Sequence, residues 1–191
     1  MGQRFPSLTD KHIEFIAEQK LFFVATAMET GRVNLSPKGS DSFRVLDPNR
    51  AVWLNLTGSG NETATHLSRN PRMTVMFCAF EGTPLILRLY GIARAIHRNT
   101  TDWTEFVDLF PASVGARQLV ELRIELVQSS CGFQVPLYEF QRDRTLLDDW
   151  AHKKGEAGIR DYWREKNVVS LDGLETGIRE GNLEGESGTG T

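Results

Sequence analysis

Residues 70–96 read NPRMTVMFCAFEGTPLILRLYGIARAI, and the fold turns on this stretch. Asn70-Pro71 ends whatever precedes it, because the residue before a proline is driven out of helical geometry. Met73 to Cys78 is rich in apolar and β-branched residues and predicts a strand. Glu81-Gly82-Thr83-Pro84 turns the chain, and Leu85 to Ile96 predicts a second, longer strand. Alternation puts Arg88 and Tyr90 on one face of that strand and Leu87 and Leu89 on the other. Gly91 lies inside it, where a glycine marks a bulge or a sharp bend of the kind a barrel needs.

Upstream, Leu21 to Ala27 and Arg32 to Ser36 flank the turn Glu29-Thr30-Gly31 and predict a hairpin. Pro37-Lys38-Gly39 stops its second arm. Ala51 to Leu56 predicts another strand after the turn Asp47-Pro48-Asn49. A helix precedes the hairpin, with Thr9 or Asp10 as cap and Ile13, Phe15, Ile16 and Ala17 on its apolar side. A short helix from Asn61 to Arg69 joins the glycine-rich run Thr57-Gly58-Ser59-Gly60 to Asn70-Pro71. Downstream, Thr100-Thr101-Asp102 caps a helix, and Arg117 to Val127 alternates as a strand with one wet face. No repeated strand–helix–strand crossover appears. The expectation is a mainly β chain of about six antiparallel strands closed into a barrel, with helices set between some of them.

After Val127 the character changes. Thr145 to Lys154 and Ala157 to Lys166 predict two helices. Thr176 to Thr191 is rich in Gly and Glu and is expected to be mobile. The predicted organisation is therefore a barrel domain over 1–130, a helical extension over 131–175 packed on the barrel or a partner subunit, and a flexible tail over 176–191.

The chain has 191 residues and a formal net charge of −3, so it offers no overall electrostatic footprint for nucleic acid. Cys78 and Cys131 stand alone, without the paired Cys/His spacing of a zinc site. The four histidines His12, His66, His97 and His152 show no HxxxH or HExxH spacing, and no GxSxG elbow supports serine hydrolysis. The N-terminus lacks the apolar core of a signal peptide, and no apolar run is long enough to span a bilayer. A soluble, cytoplasmic protein is expected.

Three segments are able to carry chemistry. Asn34-Leu35-Ser36-Pro37-Lys38-Gly39 gathers a hydroxyl, a rigid proline and a cation at a strand end, which also describes a plain strand end with a surface lysine. Thr57-Gly58-Ser59-Gly60-Asn61-Glu62-Thr63 has glycines that let backbone N–H groups approach a ligand, hydroxyls on Thr57, Ser59 and Thr63, and a helix start behind it. That combination suits a phosphate, although a flexible turn before a capped helix would read the same. It is not a P-loop, since no lysine follows the glycines. Arg88, mid-strand between apolar residues, needs water or an anion; a phosphate or a neighbouring carboxylate would serve.

In order and spacing, "FFVATA", "RVNLSPKG", "TGSGNETATHLSRNPRMTVMF" and "ILRLYGIARAI" together resemble the pyridoxamine 5′-phosphate oxidase-like FMN-binding split-barrel family, over residues from about Lys11 to Val127. The resemblance implies a six-stranded antiparallel split barrel that pairs into a homodimer with FMN at the subunit interface. It also implies that Val33 through Lys38 run along the flavin and its ribityl chain, with Asn34, Ser36, Pro37 and Lys38 as contacts. Asn61, Glu62 and Thr63, beside Thr57, would form the phosphate clasp, and Arg88 would add a contact from the other side. No catalytic acid or base and no metal ligand is assigned. The true oxidases of the family carry an Arg-Lys pair where this chain has Glu62-Thr63, and end in an arginine-containing segment that this chain does not match. The implied activity is therefore an FMN-dependent oxidoreductase acting on a small molecule other than a B6 vitamer. The alternatives are a non-catalytic flavin carrier or redox sensor, or the same fold holding a deazaflavin or haem.

Overall fold

Short connections and one sheet organise the chain. The computed structural model describes residues 2–184, and among these eight antiparallel strands form a single sheet. In chain order they are β1 (Gln3–Phe5), β2 (Leu21–Thr26), β3 (Asn34–Gly39), β4 (Phe43–Asp47), β5 (Arg50–Leu56), β6 (Arg72–Cys78), β7 (Ile86–His97) and β8 (Ala116–Ser130). Their spatial order is β3-β2-β6-β7-β8-β5-β4, with β1 paired to β8. The helices are α1 (Asp10–Glu18), α2 (Glu62–Leu67), α3 (Thr101–Phe106) and α4 (Leu146–Lys166).

The antiparallel barrel-type sheet stands as expected, but with eight strands rather than six. The two additions are β1, only three residues long, and β4, whose residues are all half-buried. Neither shows the alternation that betrays a strand in sequence. The sheet curls around one apolar core, so that Phe22 and Val24 of β2, Trp53 of β5, Val75 and Phe77 of β6, Leu87 and Leu89 of β7, and Leu122 and Val127 of β8 all meet.

Gly91 marks the bend. The register of β7 against β8 slips between Tyr90 and Gly91. A Cβ at Gly91 would lie 1.9 Å from the Arg123 carbonyl oxygen, so the two backbones approach there as only glycine allows. Pro37 is accommodated because β3 is the last strand on its side of the sheet, where a missing N–H breaks no ladder. The strand thus runs on through Pro37 and Lys38 to Gly39 instead of ending at Ser36.

Thr9 caps α1 in a reciprocal box completed by the His12 side chain. The two expected C-terminal helices are the two arms of α4, bent at Gly155, whose φ of 64° and ψ of 174° are non-helical. The second arm buries Ile159 and Trp163 against Val168 and Ile178. Beyond α4 the chain doubles back through a bridge between Val169 and Glu175.

The expectation of a loose tail is corrected for Thr176 to Glu184. Thr176, Ile178 and Asn182 are buried, and the Asn182 Nδ2 donates to the Arg117 carbonyl at 2.6 Å. Few large apolar residues suffice here because the segment is held by polar bonds to β7 and β8. Residues 185–191, the rest of that tail, lie outside the described residues. No described helix is long and apolar enough to cross a membrane.

Candidate functional site

Strand alternation on β3 sorts the first motif. Asn34, Ser36 and Lys38 point inward, whereas Leu35 and Pro37 point out on the opposite face. The inward set opens onto a cavity of about 260 Å³. Its other walls are Asn55 and Leu56 from β5, the Gly58–Thr63 loop with the start of α2, and Arg117 from β8. Six of the nine residues singled out from sequence (Asn34, Ser36, Lys38, Asn61, Glu62 and Thr63) therefore converge on one cavity.

The other three lie elsewhere. Thr57 is fully buried behind the loop, donating to the Gly115 carbonyl at 2.8 Å and accepting from the Trp163 indole at 2.9 Å. It braces the loop. Pro37 faces away. Arg88 sits on the outer face of β7, donating to the Ser130 hydroxyl at 3.2 Å, and does not line the cavity within its own subunit.

Asn61 occupies the residue before α2, as the sequence suggests, but its side chain makes no capping bond. Both its amide nitrogen and its amide oxygen are buried without a partner. Leaving such groups unpaired costs about 1–3 kcal/mol each, which a bound ligand would recover. The helix α2 has only six residues, so its dipole adds little; the positive charge comes from side chains.

Arg117 supplies that charge, and sequence reading missed it. It is 2% exposed. Its Nη1 donates to the Gly58 carbonyl at 3.3 Å, the Gly60 carbonyl at 3.0 Å and the Asn167 Oδ1 at 2.8 Å. All three acceptors are neutral, and the Nε has no partner. Among the described residues no carboxylate forms an ion pair with it. Burial lowers its pKa to about 10. Lys38, which donates to the Asn55 Oδ1 at 3.4 Å, is lowered to about 8, first by burial and then by repulsion from Arg117. Two buried cations thus face one small cavity without an internal anion between them.

The remaining carboxylate of the lining, Glu62, is occupied: its Oε1 accepts from the Leu171 N–H at 2.9 Å. Thr63 accepts from the Asn34 amide at 3.1 Å, which ties β3 to α2. None of the four histidines lines the cavity. His66 is buried against Thr26, and His97 against Asn182.

The donor set fits a phosphoryl group: two cations, an unsatisfied amide, hydroxyls from Ser36, Ser59 and Thr63, and a backbone loop without side-chain bulk at Gly58 and Gly60. The cavity is smaller than the roughly 300–1,000 Å³ of pockets that enclose whole ligands, so it suits one end of a larger molecule.

The comparisons with known proteins agree with this frame. A family model described as pyridoxamine 5′-phosphate oxidase matches residues 8–131. The Pyridoxamine 5′-phosphate oxidase family protein ustO of Aspergillus flavus is 38% identical over 190 residues, covering 89% of this chain and 76% of that protein. Among solved structures, a candidate pyridoxamine 5′-phosphate oxidase from Lactobacillus delbrueckii superposes with a TM-score of 0.51 at 20% identity, over 64% of this chain and 94% of its own. HupZ of group A Streptococcus gives 0.52 at 20% identity, over 64% and 98%. The two structures attest the fold, while the family model and the fungal relative attest the lineage: the chain belongs to the pyridoxamine 5′-phosphate oxidase family.

Proposed function

We propose that this protein binds FMN, with the phosphate in the cavity between Lys38, Asn61 and Arg117 and the flavin along β3, and that it acts as an oxidoreductase on a small molecule. The observation that carries the reading is Arg117: a buried guanidinium held only by neutral acceptors, beside an amide with both polar atoms unpaired. Burying a cation without a counter-charge is costly, and a phosphate dianion is the ligand that removes the cost. Arg117 and Lys38 would then replace the Arg-Lys pair that the family's oxidases carry where this chain has Glu62-Thr63.

When bound, the flavin would supply the electron transfer. The chain's own residues would bind and orient it: Arg117, Lys38 and Asn61 at the phosphate, Asn34 and Ser36 along the polyol. Fixing one charged end in a rigid pocket sets the orientation of the rest, which is how a protein tunes such a cofactor without itself supplying the redox chemistry.

A homodimer belongs to the same proposal. Val33 and Leu35 are 73% and 65% exposed on the outer side of the hairpin. They adjoin the outer face of β2, β6 and β7, where Phe23, Ala25, Met76 and Tyr90 are only half-buried. A self-complementary apolar face of this kind closes naturally in a two-fold dimer, and Arg88 lies on it.

An absorption spectrum of the purified protein between about 300 and 500 nm, with mass spectrometry of what heat releases, tests the cofactor. Flavin bands with FMN in the supernatant are expected. A colourless protein that also fails to take up added FMN would overturn the reading. Light scattering on a sizing column tests the dimer.

A further inference from the structure

The C-terminal extension meets the candidate phosphate site at one fully buried side chain, Asn167, in the first position after α4. Its Oδ1 accepts from Arg117 at 2.8 Å, and its Nδ2 donates to the Gly58 and Ser59 carbonyls at 3.0 and 3.3 Å. The amide therefore clamps the cation and the loop to each other. Asn167 is itself fixed by its surroundings. Its N–H donates to the Trp163 carbonyl at 2.9 Å, and its carbonyl accepts from the Thr176 hydroxyl at 2.6 Å. A second contact from the same extension holds the Arg117 backbone, through the Asn182 amide.

The chemistry of the clamp matters more than its presence. A buried arginine usually meets a carboxylate, which holds it and cancels its charge. Asn167 holds Arg117 in place without cancelling anything, because an amide oxygen accepts a hydrogen bond but carries no net charge. All of the guanidinium's protein bonds run to Nη1, and the Nε is left without a partner. The cation is thus oriented and still uncompensated.

We infer that Asn167 is the positioning residue of the anion site: through a neutral hydrogen bond it aims Arg117 at the phosphoryl end of the cofactor, so that the extension confers preference for a phosphorylated flavin over its unphosphorylated form. The inference rests on the phosphate reading given above and assigns the extension, which the family match at residues 8–131 does not reach, a part in ligand choice.

The test compares dissociation constants for FMN and for riboflavin, measured by flavin fluorescence quenching on the full chain. The variants are Asn167→Asp, Asn167→Ala and, as a control, Asp161→Ala, which removes an exposed ion pair on the same helix. Melting of the ligand-free proteins is followed in parallel. Asn167→Asp is nearly isosteric and places a carboxylate against Arg117. It is expected to weaken FMN binding at least tenfold while leaving riboflavin binding within about twofold, so the preference collapses without loss of the fold. Asn167→Ala lowers the same preference less, and Asp161→Ala leaves it unchanged. Equal weakening of both flavins, or an unchanged preference in Asn167→Asp, would sink the positioning role. A wild-type protein that does not prefer FMN to riboflavin would instead sink the phosphate reading, and this inference with it.

Discussion

The indole Nε1 of Trp163 donates to the Thr57 Oγ1 over 2.9 Å, joining the second arm of α4 to the last residue before the glycine loop across 106 positions of sequence. Trp163 has no exposed surface, and the Arg98 guanidinium lies 5.2 Å from its ring centre. The extension is thereby part of the barrel's packing. Trp163→Ala is expected to destabilise the chain by about 3–5 kcal/mol. Trp163→Phe keeps most of the apolar contact and loses the bond, a cost of about 1 kcal/mol. Urea unfolding read by circular dichroism separates the two; equal effects would mean the indole N–H contributes nothing.

Removing the buried cation should split affinity from stability. Arg117→Met deletes a charge-assisted contact worth about 1.5–3 kcal/mol, so FMN binding is expected to weaken roughly 10- to 100-fold. The ligand-free protein should be no less stable, since an uncompensated buried charge goes with the side chain. Titration calorimetry and melting curves check this. A variant that binds FMN as tightly as wild type would exclude Arg117 from the site.

Affinity should also depend on pH with a defined sign. Lys38 in the free protein has its pKa lowered to about 8. A bound dianion favours the charged lysine, so binding above that pH must take up a proton. The FMN dissociation constant is expected to be flat from about pH 7 to 8 and to rise above it, by up to about tenfold per unit. Lys38→Met should bind more weakly and lose the bend. An identical bend in that variant would assign it to another group.

Gly91→Ala tests the bend in β7. The new Cβ would meet the Arg123 carbonyl oxygen at 1.9 Å and neighbouring backbone atoms at about 3 Å, none of which belongs to a flexible side chain. A loss of at least 1–3 kcal/mol is expected, as for an overpacked interior. The melting temperature reads it directly, and an unchanged value would show that the two strands part easily there.

How far the sequence carried is clearest at particular residues. The order of strands, the bulge at Gly91 and the cluster of Asn34, Ser36, Lys38, Asn61, Glu62 and Thr63 were all legible, because alternation and turn chemistry are local signals. Arg117 was not. It opens a strand whose later residues alternate between wet and dry, but Ala116 to Val120 are all buried, since the extension covers what would otherwise be the wet face. Asn167, Ile178 and Asn182 were hidden for the same reason: a polar segment secured by long-range hydrogen bonds has no periodicity to read. Asn61 was recognised at its position but taken for a helix cap, whereas its amide is left free of the backbone.

The contact between Arg117 and Asn167 also sets an order of events during synthesis. A ribosome delivers the chain from its N-terminus, and β1 to β8 can pair before α4 has emerged. Until Asn167 leaves the exit tunnel, Arg117 and the loop carbonyls lack the partner that fixes them, so a nascent barrel has its cofactor pocket only half assembled. Loading is therefore a late step, and chains released early by premature termination within α4 would reach the cell as folded but empty barrels.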